Sequence, residues 1–552
     1  MNHGLDYELW RLQQAAGESE LDSLRDELAA TTGSPLISVV LVAGALDELW
    51  VAEGVDSLAR QSYSNWELCA AQFGTRSAID DAIAARLPAG APVRRCETTA
   101  SSSPAAALAC ALALAEGEYV VVVDEGDALS PDALLRLVDA IGRTGADLLY
   151  SNEDQIDAQG VGSGPVFKPG FSPDRLLCAA YLGRLCALRR ELVEAVGGIR
   201  PELGQVAEHD LLLRVTERAA RVAHLPQILY HRRVLADADH RVGADGLGAS
   251  SDRTVAVVEE ALGRRREPAI ARADRENGIA RVVRQPPDDA TVSLILRSDR
   301  RATRLSLLRQ LERRSLVRVD EVIVAGERPA RSSGLKVVED PCPARAANLA
   351  AEQASGEVLI FCSQAASLPP TTGPRWVGEL VAQAIRPGIG AVSGTVVDPD
   401  GRLRHGGLRV DLEGLAGPVP EETDIGPLST AWPLNPGGAS GELLAIRRDL
   451  FQRAGGFDAE RLPGALFALD LAFRLEEEGL ISVYTPVAQI QCHDPRSFPS
   501  PEEIEHMWSR WASRINRLLD YERSPLDPHR SPLAPERSDC ASFATGRIEV
   551  AA

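Results

Sequence analysis

Apolar positions fall into short unbroken runs separated by helical stretches. Leu36-Ile-Ser-Val-Val-Leu-Val42 is the first run, and Trp66–Ala71, Glu118–Val123 and Asp147–Tyr150 follow it. Runs of this length read as strands buried on both faces. Between them lie Asp47–Arg60 and the alanine-rich Pro104–Ala115, both patterned as helices. Strands alternating with helices predict an α/β sheet covered on both sides, with ligands at the carboxyl ends of the strands. Ahead of this block, Tyr7–Ala16 and Leu21–Ala30 read as exposed helices.

A second α/β block begins at Val292-Ser-Leu-Ile-Leu296. Residues 236–288 between the blocks are polar, with a helix around Asp252–Arg265 and a turn at Gln285-Pro-Pro-Asp-Asp289, and read as a connector. Beyond about residue 498 come a helix over Pro501–Leu519 and a tail rich in Pro, Ser and Arg, expected to be mobile. The division is therefore 1–34 (N-terminal helices), 35–235 (first domain), 236–288 (connector), 289–498 (second domain) and 499–552 (helix and tail).

The blocks repeat one another. Ile37-Ser-Val-Val-Leu41 matches Val292–Leu296, and Ala115-Glu-Gly-Glu118 matches Ala354-Ser-Gly-Glu357. Ala187-Leu-Arg-Arg-Glu-Leu with Gly197-Gly198 matches Ala445-Ile-Arg-Arg-Asp-Leu with Gly455-Gly456. Asp210-Leu-Leu-Leu-Arg214 matches Asp470-Leu-Ala-Phe-Arg474. Four matches in the same order imply a duplicated domain of about 200 residues.

Composition narrows the function classes. The chain has 552 residues and a net charge of −20, which argues against a broad nucleic-acid-binding surface. Its basic residues are almost all arginine; the only lysines are Lys168 and Lys336. No stretch of about 18 uncharged apolar residues suggests a membrane-spanning helix. Met1–Gly33 is acidic and mixed, unlike a signal peptide. Nine scattered cysteines without a Cys-x-x-Cys pair read as reduced thiols of a cytoplasmic protein rather than a zinc cluster.

Two acidic sites stand out. The strand Glu118–Val123 runs into Asp124-Glu-Gly-Asp127, followed by Ser130-Pro131. Paired carboxylates at a strand end suit Mg²⁺ or Mn²⁺, which neutralises a pyrophosphate leaving group. A plain turn with Asp127 and Ser130 as helix caps is the alternative. Glu208-His-Asp210 opens a helix, where a carboxylate can deprotonate a hydroxyl; the alternative is the ordinary preference of acidic residues for helix N-termini.

Gln61-Ser-Tyr-Ser-Asn-Trp-Glu-Leu68, the Asp124 cluster, Tyr150-Ser-Asn-Glu-Asp154, Phe167-Lys-Pro-Gly-Phe-Ser-Pro173, Gly197-Gly198, Glu208-His-Asp210 and Tyr230-His231 complete the pattern. Together they resemble family 2 glycosyltransferases of the GT-A fold, of the tandem type found in bacterial surface-polysaccharide (O-antigen) clusters. The resemblance covers roughly residues 35–235 and 289–495. It implies two tandem GT-A-like domains and an inverting transfer of a sugar from a nucleotide-diphosphate donor to a glycan or lipid-linked glycan acceptor. It implies a Mn²⁺ or Mg²⁺ cofactor held by Asp124 and Asp127 with His231, and Glu208 as the catalytic base. Asn152, Glu153, Asp154, Lys168 and Arg232 would line the donor or acceptor cleft. The location would be cytoplasmic, or peripheral at the inner membrane face.

The chain also departs from that family. Val42-Ala-Gly44 replaces the usual turn after the first strand, and Gln72-Phe73 replaces an acidic pair that contacts the nucleotide. Gly126 stands where a second aspartate is common, and Ala109 where an asparagine is expected. In the second copy Asp124 maps to Ser363, Asp127 to Ala366 and Glu208 to Ala468, while His231 maps to His493 and Asp210 to Asp470. The second domain therefore reads as a degenerate, non-catalytic repeat, and Asp210 as structural. The competing reading is a glycosyltransferase-like scaffold or glycan-binding protein with neither copy active.

Overall fold

The computed structural model describes residues 7–11, 17–31, 34–44, 48–73, 78–88, 90–96, 98, 102–234, 251–274, 279–298, 307, 310, 317–326, 335–363, 366–369, 372–406, 433–435, 437–493, 498–522 and 544–547. The first sheet is built from β1 (Ile37–Ala43), β2 (Trp66–Gln72), β3 (Val93–Cys96), β4 (Tyr119–Asp124), β5 (Ala128–Leu129), β6 (Leu148–Ile156), β7 (Gly162–Val166), β8 (Cys186–Arg189) and β9 (Arg221–Arg233). Its main path runs β3-β2-β1-β4-β8-β6-β9. Pairing is parallel throughout except at β8, which is antiparallel to both β4 and β6. Successive side chains of a strand point to opposite faces. Val39 and Leu41 of β1 accordingly enter one core while Val40 enters the other.

A two-stranded ribbon of β10 (Ala269–Asp274) and β11 (Ile279–Arg284) separates the halves. The second sheet contains β12 (Val292–Ser298), β13 (Glu321–Gly326), β14 (Lys336–Val338), β15 (Val358–Ser363), β16 (Ala366–Ser367), β17 (Ile389–Val397), β18 (Leu403–His405), β19 (Leu443–Arg447) and β20 (Ile481–Cys492). Its path β14-β13-β12-β15-β19-β17-β20 matches the first strand for strand, with β19 as the antiparallel insert.

Small structural devices recur as well. Ser38 Oγ donates to Glu67 and accepts from Gly117 N at 2.8 Å; Ser293 Oγ does the same with Glu321 and Gly356 N. Asp210 holds Arg214, whose guanidinium donates to Val196 O and Gly198 O. Asp470 holds Arg474, which donates to Ala454 O and Gly456 O. Each half is also covered by the helix that follows it. Ser251–Arg264 inserts Val257, Val258, Ala261 and Leu262 into the first core, and Pro501–Glu522 inserts Met507, Trp511 and Ile515 into the second.

The two-block α/β reading holds, with local corrections. The connector carries the β10–β11 ribbon in addition to its helix. The strand read over Asp147–Tyr150 continues through Asp154 in β6, where parallel pairing with β9 carries a polar run as strand. Cys96 and Cys110 are neighbours, with Cα atoms 6.0 Å apart, a spacing that a disulfide can span. Residues 12–16 of the first expected helix, and most of the tail expected to be mobile, lie outside the described residues; Ala544–Arg547 form β21, antiparallel to β9. Among the described residues no helix is long and apolar enough to cross a membrane.

Candidate active site

The site begins where β4 ends. Asp124–Asp127 close a tight turn in which Asp127 N donates to Asp124 O at 3.2 Å. Gly126 has φ +78°, a conformation that favours glycine at the third position of such a turn. This explains the glycine in place of a second aspartate. The turn also directs Asp127 inward. That side chain is buried, accepting from Tyr230 Oη at 2.7 Å and from Arg233 N at 2.9 Å. Burial, together with Asp127 and Asp124, raises the Tyr230 pKa well above its ordinary value, so the phenol stays a donor. Arg233 ties the turn further, donating to Gly126 O at 2.9 Å and pairing with Glu53, its guanidinium 4.7 Å from the Trp50 ring centre. Asp127 thus shapes the turn and does not face the cleft as a metal ligand.

Asp124, unlike Asp127, is partly exposed. Across from it, Glu208 lies in the first turn of the helix Ala207–Thr216. Arg184 spans the gap, with Nε 2.8 Å from Asp124 and Nη1 2.5 Å from Glu208. The three side chains are 41% (Asp124), 38% (Glu208) and 32% (Arg184) exposed, so solvent and ligands can reach them. Partial burial disfavours the guanidinium charge, but Asp124 and Glu208 more than offset it and hold Arg184 firmly protonated. Asp210 is turned away into its pair with Arg214 and Arg200.

The residues expected to line the cleft lie beneath it instead. Lys168 is 2% exposed, with Nζ 2.8 Å from Glu153 and 2.7 Å from Leu182 O. Burial raises the Glu153 pKa but the Lys168 charge outweighs it, and the net shift is downward. The pair packs under Gly183, where φ is +73° and a Cβ would collide with Lys168 Nζ and Glu153 Oε2. Glu153 also accepts from Arg184 N at 3.3 Å, so this buried pair fixes the backbone that carries Arg184. Asn152 Oδ1 accepts from Lys168 N and meets His224 Nε2 at 2.9 Å. Asp154 is buried between Tyr7 Oη and His231 Nδ1, each at 2.6 Å. The second ring nitrogen of His231 meets Ser130 Oγ at 2.9 Å. With both nitrogens engaged in the protein, His231 is a structural tie, contrary to its expected metal role. Arg232 is half-buried on β9, near enough to Glu153 to lower its pKa. His209 packs in the core against Leu176 O, where burial lowers its pKa. Among the described residues no three His, Cys, Asp or Glu side chains are grouped to hold a metal by themselves.

The segment bearing Lys168 and Arg184 is braced by the second half. Asn435 Oδ1 accepts from Ser172 Oγ and Asp174 N at 3.0 Å, and its Nδ2 donates to Asp174 at 2.9 Å. Buried Asp174 also meets Arg386 at 2.9 Å and Arg284 at 3.3 Å. Burial raises its pKa, but the two arginines outweigh that and the net shift is downward.

Residues 39–175 match the family model "Glycosyl transferase family 2". That match falls within the first half of the chain. It is 29% identical over 516 residues to the O-antigen biosynthesis protein RfbC of Myxococcus xanthus, covering 89% of this chain and 40% of that protein. The chain thus spans about two-fifths of that relative's length. Over 181 residues it is 28% identical to an N-acetylglucosaminyl-diphospho-decaprenol L-rhamnosyltransferase of Mycobacterium tuberculosis, covering 28% of this chain and 55% of the enzyme. Among solved structures, S. aureus TarS in complex with UDP aligns with a TM-score of 0.33 at 18% identity, covering 41% of this chain and 65% of that one.

Arg184 escaped the reading of the sequence, although a signal for it exists. Carrying the repeat match at Ala187 and Ala445 three residues back sets Arg184 against Glu442. Arg184 therefore differs between the copies, as Asp124 and Glu208 do. Tyr230 carries the same kind of signal, standing against Cys492, whereas nothing comparable marks Asn435, whose role depends on contacts distant in sequence.

Proposed function

We propose that the first half is an inverting glycosyltransferase acting in cell-surface polysaccharide synthesis. It moves a sugar from a nucleotide-diphosphate donor to a hydroxyl of a lipid-linked or free glycan. The observation that carries this reading is the pair Asp124 and Glu208, facing each other at the carboxyl edge of the sheet. Their counterparts in the second half are Ser363 and Ala468. The names of the relatives, an O-antigen biosynthesis protein and a rhamnosyltransferase of a diphospho-decaprenol-linked sugar, support the substrate class. The division into an active domain over 35–235 and a supporting one over 289–498 belongs to the same proposal.

Asp124 fits a divalent cation. It is a hard oxygen donor already holding one cation, the Arg184 guanidinium, and Mg²⁺ or Mn²⁺ sites commonly combine one or two carboxylates with substrate phosphates. When bound, the ion supplies charge neutralisation of the departing diphosphate. Asp127 and Tyr230 hold the turn that aims Asp124. Glu208 accepts the proton of the acceptor hydroxyl as its oxygen bonds to the anomeric carbon. The carbon–oxygen bond to the diphosphate breaks on the opposite face, and the configuration inverts.

The test uses labelled UDP-, GDP-, dTDP- and CDP-sugars with a polyprenol-diphosphate-linked N-acetylglucosamine acceptor, the product anomer being read by NMR. The reading predicts an inverted product from one donor class, lost in Glu208→Gln. Transfer that survives Glu208→Gln, or a retained configuration, contradicts it.

A further inference from the structure

We propose that Arg184 is a displaceable counter-ion. It pairs with both Asp124 and Glu208, and with donor and metal bound it would leave Asp124 to the divalent cation and pair with the diphosphate oxygens. This rests on the reading of Asp124 as the metal-facing carboxylate.

The geometry supplies the argument. Two carboxylates face one another and a single guanidinium touches both. A divalent cation at Asp124 and the Arg184 charge 2.8 Å from the same carboxylate would repel each other, so the two compete for it. The backbone of Arg184 is held by buried neighbours, and its side chain is held by the two carboxylates alone among the ion pairs described. Gly183 lies over the buried Lys168–Glu153 pair, and Glu153 accepts from Arg184 N. Its long side chain is about one-third exposed. Planar guanidinium donors bind carboxylate and phosphate oxygens in the same bidentate manner, which allows one group to change partners.

The second half offers an internal control. Where Arg184 stands in the first half, the second has Glu442, paired with buried Arg404. Ser363 and Ala468 carry no charge, and the arginine there, Arg404, lies between Glu442 and Asp398 instead. All three positions differ between the halves.

Calorimetric titration of MnCl₂ into wild type, Arg184→Ala, Arg184→Lys and Asp124→Asn, with folding checked by circular dichroism, decides the matter. Without nucleotide, Arg184→Ala should bind Mn²⁺ about tenfold more tightly than wild type, since a competing cation is gone. Arg184→Lys should stay near wild type, and Asp124→Asn should lose the ion. With Mn²⁺ present, Arg184→Ala should bind the recognised member of UDP, GDP, dTDP and CDP about tenfold more weakly. Equal or weaker Mn²⁺ binding by folded Arg184→Ala overturns the counter-ion while leaving the metal reading intact. Absence of Mn²⁺ binding by every variant, with or without nucleotide, overturns both. Nucleotide binding in EDTA that disappears in Arg184→Ala overturns the competition and makes Arg184 a substitute for the metal.

Discussion

Ser38 and Ser293 make the same bonds in the two halves, as do Arg214 and Arg474. His231 meets Ser130 at 2.9 Å in the first half, and His493 meets Ser367, which stands against Ala128, at 2.9 Å in the second. Asp124, Arg184 and Glu208 have no such counterparts; Ser363, Glu442 and Ala468 stand in their places. A residue kept in both copies serves the sheet, its turns or its covering helices. Residues found only in the first copy meet at one edge of the sheet. On this comparison His231 belongs with the structural ties, and Arg184 belongs with the chemistry.

The largest expected effect falls on the position that separates the halves. Glu208→Gln should lower transfer about 10²–10⁴-fold, the usual contribution of a general base. Ala468→Glu in the second half should restore nothing, because neither Ser363 nor Glu442 supplies its partners; measurable transfer by that half, with Glu208 removed, would erase the distinction. The shared positions should behave oppositely. Asp210→Ala and Asp470→Ala should each cost roughly 3–5 kcal/mol in chemical denaturation, by leaving Arg214 or Arg474 without its buried partner. Loss of activity without loss of stability in Asp210→Ala would move that residue to the chemical set.

A smaller effect tests whether the halves act together. Asn435→Ala leaves the Ser172 and Asp174 contacts incomplete, at a cost of about 1–3 kcal/mol. It should also raise the donor KM of the first half, because the braced segment carries Arg184. Unchanged kinetics would make the brace purely structural.

The smallest effect concerns pH. Burial, with the Lys168 charge, lowers the His224 pKa to about 3. Its counterpart in the second half, Tyr484, does not titrate in acid. Between its unfolded value near 6.5 and about 3, the unfolded chain binds the proton that the folded chain excludes. Stability from this group is fully present above pH ~6.5 and falls by up to about 1.4 kcal/mol per unit as pH drops through that window. His224→Gln should flatten the acid slope measured by denaturant titration at pH 6, 5 and 4; an unchanged slope would show that other groups set it.

Much of this was legible in the chain. The strands were visible because a buried parallel sheet demands unbroken apolar runs, and the repeat because packing devices such as Asp210-x-x-x-Arg214 tolerate little change. Asp124 and Glu208 emerged from differences between the copies. What remained hidden depended on partners distant in sequence. Lys168 reads as a cleft residue until its buried pair with Glu153 is found beneath Gly183. Ser151–Asp154 looks like a loop until β9 pairs with it. Asp127 looks like a ligand until the Gly126 turn directs it toward Tyr230. Arg184 is one arginine among many until two carboxylates converge on it.

The central claim is that the first half alone holds a live donor site. Thermal shift against UDP, GDP, dTDP and CDP, each with and without Mn²⁺, tests it most directly. A ligand at 100 times its Kd adds about 2.7 kcal/mol of stability. The account predicts a Mn²⁺-dependent shift with one nucleotide, lost in Asp124→Ala and kept in Ser363→Ala. No shift from a well-folded sample, or a shift that Asp124→Ala leaves intact, would contradict it.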